Sequence, residues 1–553
     1  VLEAFWIPLL PPFFLGLLLS WAVECLLLPR PAAPWGRPWA ANFTHLGVWL
    51  IAFALELALF RRPYFAVANV LAIQLVIILV SRAKYQALQE PFVYPDFEYF
   101  TDAIKHPRLY LPFLGWWGAL AAAGGYGLAL WSGLVFEAPI TAGGTAWHRV
   151  SIDLPSTIRP GVPLMRFYPV VLGIGAAGLL LAWWAGRRLV VNFDAAADVR
   201  QLGLVPALWA YGSAERAPIS RMQQQAPFSS VPFPPLGAEL PDLISIQSES
   251  FFDVRRAYSV VKPDVLSEFD KLRAGALAHG ELEVAARGAN TVRTEFAFLS
   301  GMNPDDLGVH RFNPYRRLGR HGVPTLANYL KAIGYRTICV HPYYGNFYRR
   351  DRVLPALGFD EFIDLRAFER AERVGAYVGD SALADFVIDL LQRNGDKRPV
   401  FVHVITMENH GPLHWEKIDR EKEADVIVGK LPKHCEDLVA YLHHLRNADL
   451  MFKKLSSFFG SAKQPIGLCL FGDHVPIMPK VYRHLGAVSG RSDYVIWHNR
   501  KGEENEARTL NVSTLAALFL SKCGLMESGE WRVNSRICPG GGTNLCTGNN
   551  LDL

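Results

Sequence analysis

Residues 242–253 read DLISIQSESFFD, an apolar run closed by Ser248-Glu249-Ser250. A short run rich in Ile and Leu fits a strand buried on both faces, the kind that builds parallel sheets covered by helices. Further runs of this type follow at 335–340 (YRTICV), 399–405 (PVFVHVI), 466–471 (IGLCLF) and 493–497 (DYVIW). Helical patterns occupy about 324–333, 380–393, 435–459 and 512–522. Strands alternating with helices predict an α/β domain with a mainly parallel sheet. Polar residues stand where the strands end: Glu249 after the first, His341 after the second, Glu408-Asn409-His410 after the third, and Asp473-His474 after the fourth. Open α/β sheets bind ligands beyond the carboxyl ends of their strands, so this placement predicts one site assembled from several strands.

Upstream, the composition changes. Charged residues make up 19% of the 553-residue chain and hydrophobic residues 51%, against a usual charged share of about 25%. The apolar excess collects in five stretches, 4–29, 42–60, 63–81, 109–136 and 167–186, each long enough to cross about 30 Å of hydrocarbon as a helix. Pro29-Arg30, Arg61-Arg62, Arg82 and Arg187-Arg188 bound them. The first is too long, and followed by too many others, to read as a cleaved signal peptide. A transmembrane domain over 1–190 is therefore expected, then a proline-rich linker over 191–240 (Pro218, Pro227, Pro232, Pro234, Pro235), then a soluble domain over 241–553. The net charge of +5 includes no Lys/Arg block, so nucleic acid is not an expected partner.

Basic residues beside the spans do not set the orientation cleanly. Arg30, Arg37, Arg82, Lys84, Lys105, Arg108, Arg187 and Arg188 lie on one side, against Arg61, Arg62, Arg149, Arg159 and Arg166 on the other. Counted alone, they lean towards a cytoplasmic C-terminal half. Glu24 and Glu56 fall within spans, near their C-terminal ends, and are expected to snorkel to opposite interfaces rather than pair. Gly173-Ile174-Gly175-Ala176-Ala177-Gly178 matches GxGxxG, but inside an apolar span it reads as close helix packing, not a dinucleotide site. Residues 83–108, rich in Tyr and Phe, suit either a segment lying in the membrane interface or an ordered loop. The cysteines lack paired CxxC spacing; Cys538 and Cys546 are near enough in sequence to pair in an oxidising compartment.

The polar residues at the strand ends suggest a chemistry. Glu249, Asp473 and His474 supply two carboxylates and one imidazole, a set suited to Mn²⁺, Mg²⁺ or Zn²⁺. Gly288-Ala289-Asn290-Thr291-Val292-Arg293-Thr294-Glu295-Phe296 places hydroxyls just before a plausible helix, whose N-terminus favours an anion. A threonine hydroxyl near a cation becomes a usable nucleophile towards phosphorus. Composition alone does not separate Thr291 from Thr294.

The set ISIQSESFFD (244–253), GANTVRTEF (288–296), HPYYGNFYRRD (341–351), MENHGP (407–412) and FGDH (471–474), behind several spans, resembles the lipoteichoic acid synthases and the phosphoglycerol transferases of periplasmic glucans. These belong to the alkaline phosphatase and sulfatase superfamily. The resemblance implies Thr291 as nucleophile, with Glu249, Asp473 and His474 as its fellow metal ligands and manganese as the expected ion, magnesium or zinc being the alternatives. It makes His410 a residue that meets the phosphoglycerol near the nucleophile, and His341, Tyr348 and Arg350 substrate-binding residues. Tyr348 stands where those synthases have Trp, and Tyr343 where they have Asp, a departure that favours a different acceptor such as a glycan. No C/S-x-P-x-R pentapeptide occurs, so formylglycine-dependent sulfate hydrolysis is not expected. The implied activity is transfer of glycerophosphate from phosphatidylglycerol, through a phosphothreonine-type intermediate, to a glycan or polyglycerolphosphate. Phosphoethanolamine transfer from phosphatidylethanolamine is the alternative, and an inactive membrane receptor or assembly factor a second one. The resemblance also implies a multi-pass protein of the bacterial cytoplasmic membrane whose catalytic domain faces outward, against the lean of the charges.

Overall fold

A computed structural model of the chain describes residues 2–106, 116–141, 162–229, 239–393, 398–416, 420–502 and 504–526. Cys538 and Cys546 lie outside them. Among the described residues, four helices are long and apolar enough to cross a membrane: Leu2–Glu24, Trp39–Phe60, Pro63–Leu88 and Leu164–Gly186. A further apolar helix, Trp116–Phe136, covers most of the fourth predicted span, and the rest of that span lies outside the described residues.

Helix Trp39–Phe60 packs along Leu164–Gly186, and glycine permits the contact. A Cβ on Gly47 would sit 2.6 Å from Ala182 N, and one on Gly178 would sit 2.7 Å from Gly47 O. The last glycine of the GxGxxG run thus serves helix packing, while a Cβ on Gly173 would meet nothing within 4 Å.

The intramembrane carboxylates depart from expectation. Glu24 and Glu56 do not pair with each other, but neither does Glu24 reach water. It is fully buried against Arg37 at 2.6 Å and accepts from the Leu204 and Val205 backbone N–H groups at 3.0 and 3.3 Å. Glu56 accepts from Asn69 Nδ2 at 2.6 Å. A buried charge needs a partner, and Arg37 together with the N-terminus of helix Leu204–Glu215 supplies one.

That helix and Ala195–Leu202 lie in the stretch expected to be a linker. Asp194 caps the latter by accepting from Ala196 and Ala197 N–H, and small residues followed by an apolar run let both helices form. The prolines read as linker signals cluster further on, from Pro218.

The C-terminal half is built on β1 (Asp242–Ser248), β2 (Ala278–Glu283), β3 (Arg336–Val340), β4 (Glu361–Ile363), a small hairpin of β5 (Arg373–Val374) and β6 (Tyr377–Val378), then β7 (Val400–Ile405), β8 (Ile466–Gly472), β9 (Ser492–His498), β10 (Glu506–Ala507) and β11 (Leu510–Asn511). The main sheet runs β10-β2-β9-β8-β1-β7-β3-β4, with β11 beside β2. Strands β8, β1, β7, β3 and β4 are parallel neighbours, and β9 is antiparallel to both β8 and β2. Every residue of β7 and β8 is buried, because helices cover both faces. Leu442, Leu445 and Phe452 of the long helix Glu436–Ser461 share one core with Val404 and Leu468. On the other face Val292, Phe296, Leu515 and Phe519 pack with Phe401 and Phe471. The five predicted strands and four predicted helices all form, with ends within two residues or so. Strand β2 (AHGELE) escapes the hydrophobic reading because its middle is only half-buried.

Candidate active site

The register of four parallel strands brings the predicted residues together. Ser248 of β1 lies opposite Gly472 of β8, so the next residues, Glu249 and Asp473, leave the sheet side by side. On the other side Gln247 faces Ile405 of β7, and Val404 faces Val340 of β3. His410 and His341 follow those two strands at the same edge. Gly472 is required for space: a Cβ there would fall 1.9 Å from the Phe251 carbonyl oxygen. The chain after β1 therefore crosses directly over the end of β8.

Glu249, Asp473 and His474 are all buried, and each offers a ligand atom within 4.8 Å of the others. His474 Nε2 lies 3.6 Å from Glu249 Oε1 and 3.5 Å from Asp473 Oδ2. Ser250, in the left-handed region at φ 55°, donates its N–H to Asp473 Oδ1 at 2.8 Å and its hydroxyl to Glu249 Oε1 at 3.0 Å. Asp473 Oδ2 is buried with no hydrogen-bond partner among the described residues. Burial, with the Asp473 carboxylate beside it, pushes the Glu249 carboxyl up to about 8. Two buried carboxylates with an unanswered oxygen and an imidazole nitrogen fit a divalent cation, which would neutralise what the protein leaves uncompensated. Saturation with Mn²⁺ at about 100 times its Kd should stabilise the fold by about 2.7 kcal/mol. Thermal unfolding with and without chelator would read this, and an unchanged midpoint would count against the site.

The two candidate threonines separate cleanly. Thr291 opens helix Thr291–Ser300 behind Asn290, itself left-handed at φ 65°, and its Oγ1 lies 3.4 Å from His474 Nε2. Thr294 is fully buried and donates its hydroxyl to the Asp473 carbonyl at 2.7 Å. Thr291 therefore faces the cluster, while Thr294 ties the helix to the loop that carries two of its members.

Arg350 meets His341 directly and is itself held by Glu295, which no strand-end position marks. Arg350 is buried, with Nη2 2.7 Å from Glu295 Oε2 and Nε 3.3 Å from Glu295 Oε1. Its Nη1 lies 3.3 Å from His341 Nε2, while His341 Nδ1 faces the Ile405 carbonyl at 3.2 Å. Burial and the adjacent guanidinium hold His341 well below its ordinary pKa, so its neutral ring donates from Nδ1 and accepts at Nε2. Tyr315 gives Glu295 a further hydrogen bond. Tyr348, at φ 53°, has its ring 5.3 Å from the Arg350 guanidinium carbon. His410 turns Nδ1 to the Gly411 carbonyl at 2.8 Å, and burial lowers its pKa.

Two further connections went unread. Arg293 reaches back to Glu90, just past the third span, in a two-pronged ion pair of 2.7 and 2.8 Å, and Lys84 bridges Glu90 and Asp96 at 2.6 Å each. From the same segment Tyr99 packs 5.9 Å from the Tyr348 ring, and His106 5.3 Å from that of Phe347. Residues 83–108 thus pack, where described, against the loop that carries Phe347 and Tyr348 and against the helix that carries Arg293. A charged residue inside a helix buried at every position, as Arg293 and Glu295 are, was the available signal, since such charges demand partners.

Behind the site, His444 bridges Glu408 (2.9 Å) and Glu416 (2.9 Å). Burial opposes its charge, but hydrogen bonds to both carboxylates outweigh that and push its pKa up to about 9. A pKa raised from an unfolded value near 6.5 gives stability that is fully present below pH 6.5 and lost as pH climbs towards 9. The excess stability of the wild type over His444→Gln, on the order of 3 kcal/mol at pH 6, should therefore shrink by pH 9.5; urea titrations at the two pH values would test it, and a constant difference would refute it.

Compared with known proteins, residues 241–524 match the Sulfatase family. The capsular polysaccharide biosynthesis protein RkpI of Rhizobium meliloti is 28% identical over 457 residues, covering 79% of this chain and 78% of that protein. A putative cyclic beta-1,2-glucan modification protein of the same organism is 24% identical over 541 residues, 91% of this chain and 79% of that one. The integral membrane lipooligosaccharide phosphoethanolamine transferase A of Neisseria meningitidis shares the fold across both halves, with a TM-score of 0.56 at 13% identity over 94% of this chain and 96% of that one.

Proposed function

The chain belongs to the sulfatase family of the alkaline phosphatase superfamily, and from that membership we propose a membrane-anchored phosphoglycerol transferase that moves glycerophosphate from phosphatidylglycerol to a glycan or polyglycerolphosphate acceptor. The observation that carries the reading is Thr291 at a helix N-terminus, 3.4 Å from His474 in a buried cluster with Glu249 and Asp473. Spans on the same chain hold that cluster near a bilayer, where a lipid phosphate sits. The outward-facing orientation follows from the donor chemistry and is part of the proposal, as are the domain limits 1–190, 191–240 and 241–553.

Glu249, Thr291, Asp473 and His474 would hold the cation, which when bound lowers the pKa of a nearby hydroxyl and screens phosphate charge. Thr291 Oγ1 attacks the lipid phosphorus, the bond from phosphorus to the diacylglycerol oxygen breaks, and glycerophosphate stays on Thr291. His410, neutral because burial lowers its pKa, takes the threonine proton and passes it to the departing oxygen. In the second half an acceptor hydroxyl attacks the same phosphorus, and its proton returns through His410 to Thr291. His341, Tyr348 and Arg350 line the glycerophosphate end, with Glu295 fixing Arg350 and Arg350 Nη1 reaching His341 Nε2.

The test is donor choice. Detergent-purified protein with Mn²⁺ should release labelled diacylglycerol from phosphatidylglycerol and not from phosphatidylethanolamine. Release from the second lipid alone would make it a phosphoethanolamine transferase.

A further inference from the structure

A cleft of ≈ 300 Å³ opens beside His410, walled by Gly375 and Tyr377 of the β5–β6 hairpin on one side and by Pro412, Trp415 and Glu416 on the other. The mechanism above uses His410 alone among these. Trp415 is 43% exposed, a large apolar ring turned outward although the domain has two full cores in which to bury one. Glu416 is fixed in place, with His444 Nε2 3.0 and 2.9 Å from its two oxygens and His444 itself anchored on Glu408 at 2.9 Å. Each Glu416 oxygen keeps lone pairs that His444 does not use. Tyr377 donates its hydroxyl to the Gly411 carbonyl at 3.2 Å, so the hairpin wall is tied to the loop that carries His410.

We propose that this cleft is the acceptor subsite and that it takes a neutral, polyhydroxylated sugar chain. The inference rests on the transferase reading and names the acceptor that reading leaves open. A sugar ring has an apolar C–H face and a rim of hydroxyls. An exposed indole offers a flat, weakly polar platform for the face, and a preset carboxylate accepts from the rim. Charge selects between the two acceptor classes. Among the described residues lining the cleft there is no Lys or Arg, and the Glu416 carboxylate already shares His444 with Glu408, so the cleft offers a polyanionic polyglycerolphosphate no cation to pair with, a lack that costs a neutral glycan nothing. A sugar hydroxyl at the His410 end loses its proton to that imidazole as its oxygen bonds to phosphorus. The bond from phosphorus to Thr291 Oγ1 breaks, and the proton restores the threonine hydroxyl.

The experiment measures glycerophosphate transfer by the full-length protein from phosphatidylglycerol to a linear β-1,2-glucan oligosaccharide, with polyglycerolphosphate of equal length as competing acceptor. Wild type should saturate with the glucan and prefer it. Trp415→Ala should raise the glucan KM roughly three- to tenfold, the span expected for one stacked ring, with Trp415→Phe in between. Binding of the same glucan to a Thr291→Ala protein, followed by saturation-transfer NMR, should weaken in parallel when Trp415 is also replaced. A glucan KM unmoved in both Trp415 variants overturns the inference, as does polyglycerolphosphate being the better acceptor. Diacylglycerol release that no glucan stimulates sinks the acceptor subsite alone, whereas no release from phosphatidylglycerol at all sinks the transferase reading first.

Discussion

Thr291→Ala is expected to lower diacylglycerol release from phosphatidylglycerol by a factor of about 10⁴ or more, because among the described residues no other hydroxyl is placed to begin the proposed covalent half-reaction. Ser250 and Thr294 are the neighbouring hydroxyls, and both are committed: Ser250 Oγ donates to Glu249, and Thr294 Oγ1 to the Asp473 carbonyl. Thr291 is buried at the first turn of its helix but belongs to neither hydrophobic core, so the thermal midpoint of the metal-free protein should fall by no more than about a few degrees. Thr291→Ser, which keeps the oxygen, should retain measurable release. The measurement is acyl-labelled lipid turnover with protein mass spectrometry for a glycerophosphate adduct. An adduct on any other residue, or full activity in the alanine variant, would remove Thr291 from the mechanism.

Glu295→Ala should cost about 3–5 kcal/mol of stability, the usual penalty for leaving a buried charge without its partner. Arg350 is 1% exposed and Glu295 fully buried, so water cannot replace the lost carboxylate. The ion pair, despite the burial that opposes it, holds Glu295 below the ordinary carboxylate range. Removing both charges together, as Glu295→Leu with Arg350→Met, should recover most of the loss in stability while activity stays low, since the guanidinium is gone and His341 loses the group that faces its Nε2. Pulse proteolysis in urea would report the stabilities. Equal losses in the single and double variants would show that packing, not the uncompensated charge, sets the cost.

The parts of this molecule that are legible in sequence are those fixed by local rules. Strands β1, β7 and β8 announce themselves as apolar runs, and the residues beyond their ends are readable because parallel register carries successive loops to one edge. Thr291 and Thr294 look alike in sequence because what distinguishes them is which way each faces across a helix N-terminus, a tertiary fact. The Glu295–Arg350 pair is invisible for the same reason: its members are 55 residues apart, and Arg350 alone looks like a free phosphate binder. Glu24 looks in sequence like a carboxylate seeking water because its partners, Arg37 and the N-terminus of helix Leu204–Glu215, come from a loop and from a stretch whose prolines suggest a linker.

The Arg293–Glu90 bridge ties the helix bearing Thr291, the proposed nucleophile, to the end of the third apolar helix, and so fixes an altitude. Thr291 is held at a set height above the hydrocarbon, as a tool is held on a gantry. A phosphate must arrive at that height to be struck in line; the same ester carried deeper, or on a longer stalk, would meet identical chemistry at the wrong level. On the proposed transferase reading, the depth of a headgroup in its leaflet thereby becomes part of what this site would recognise.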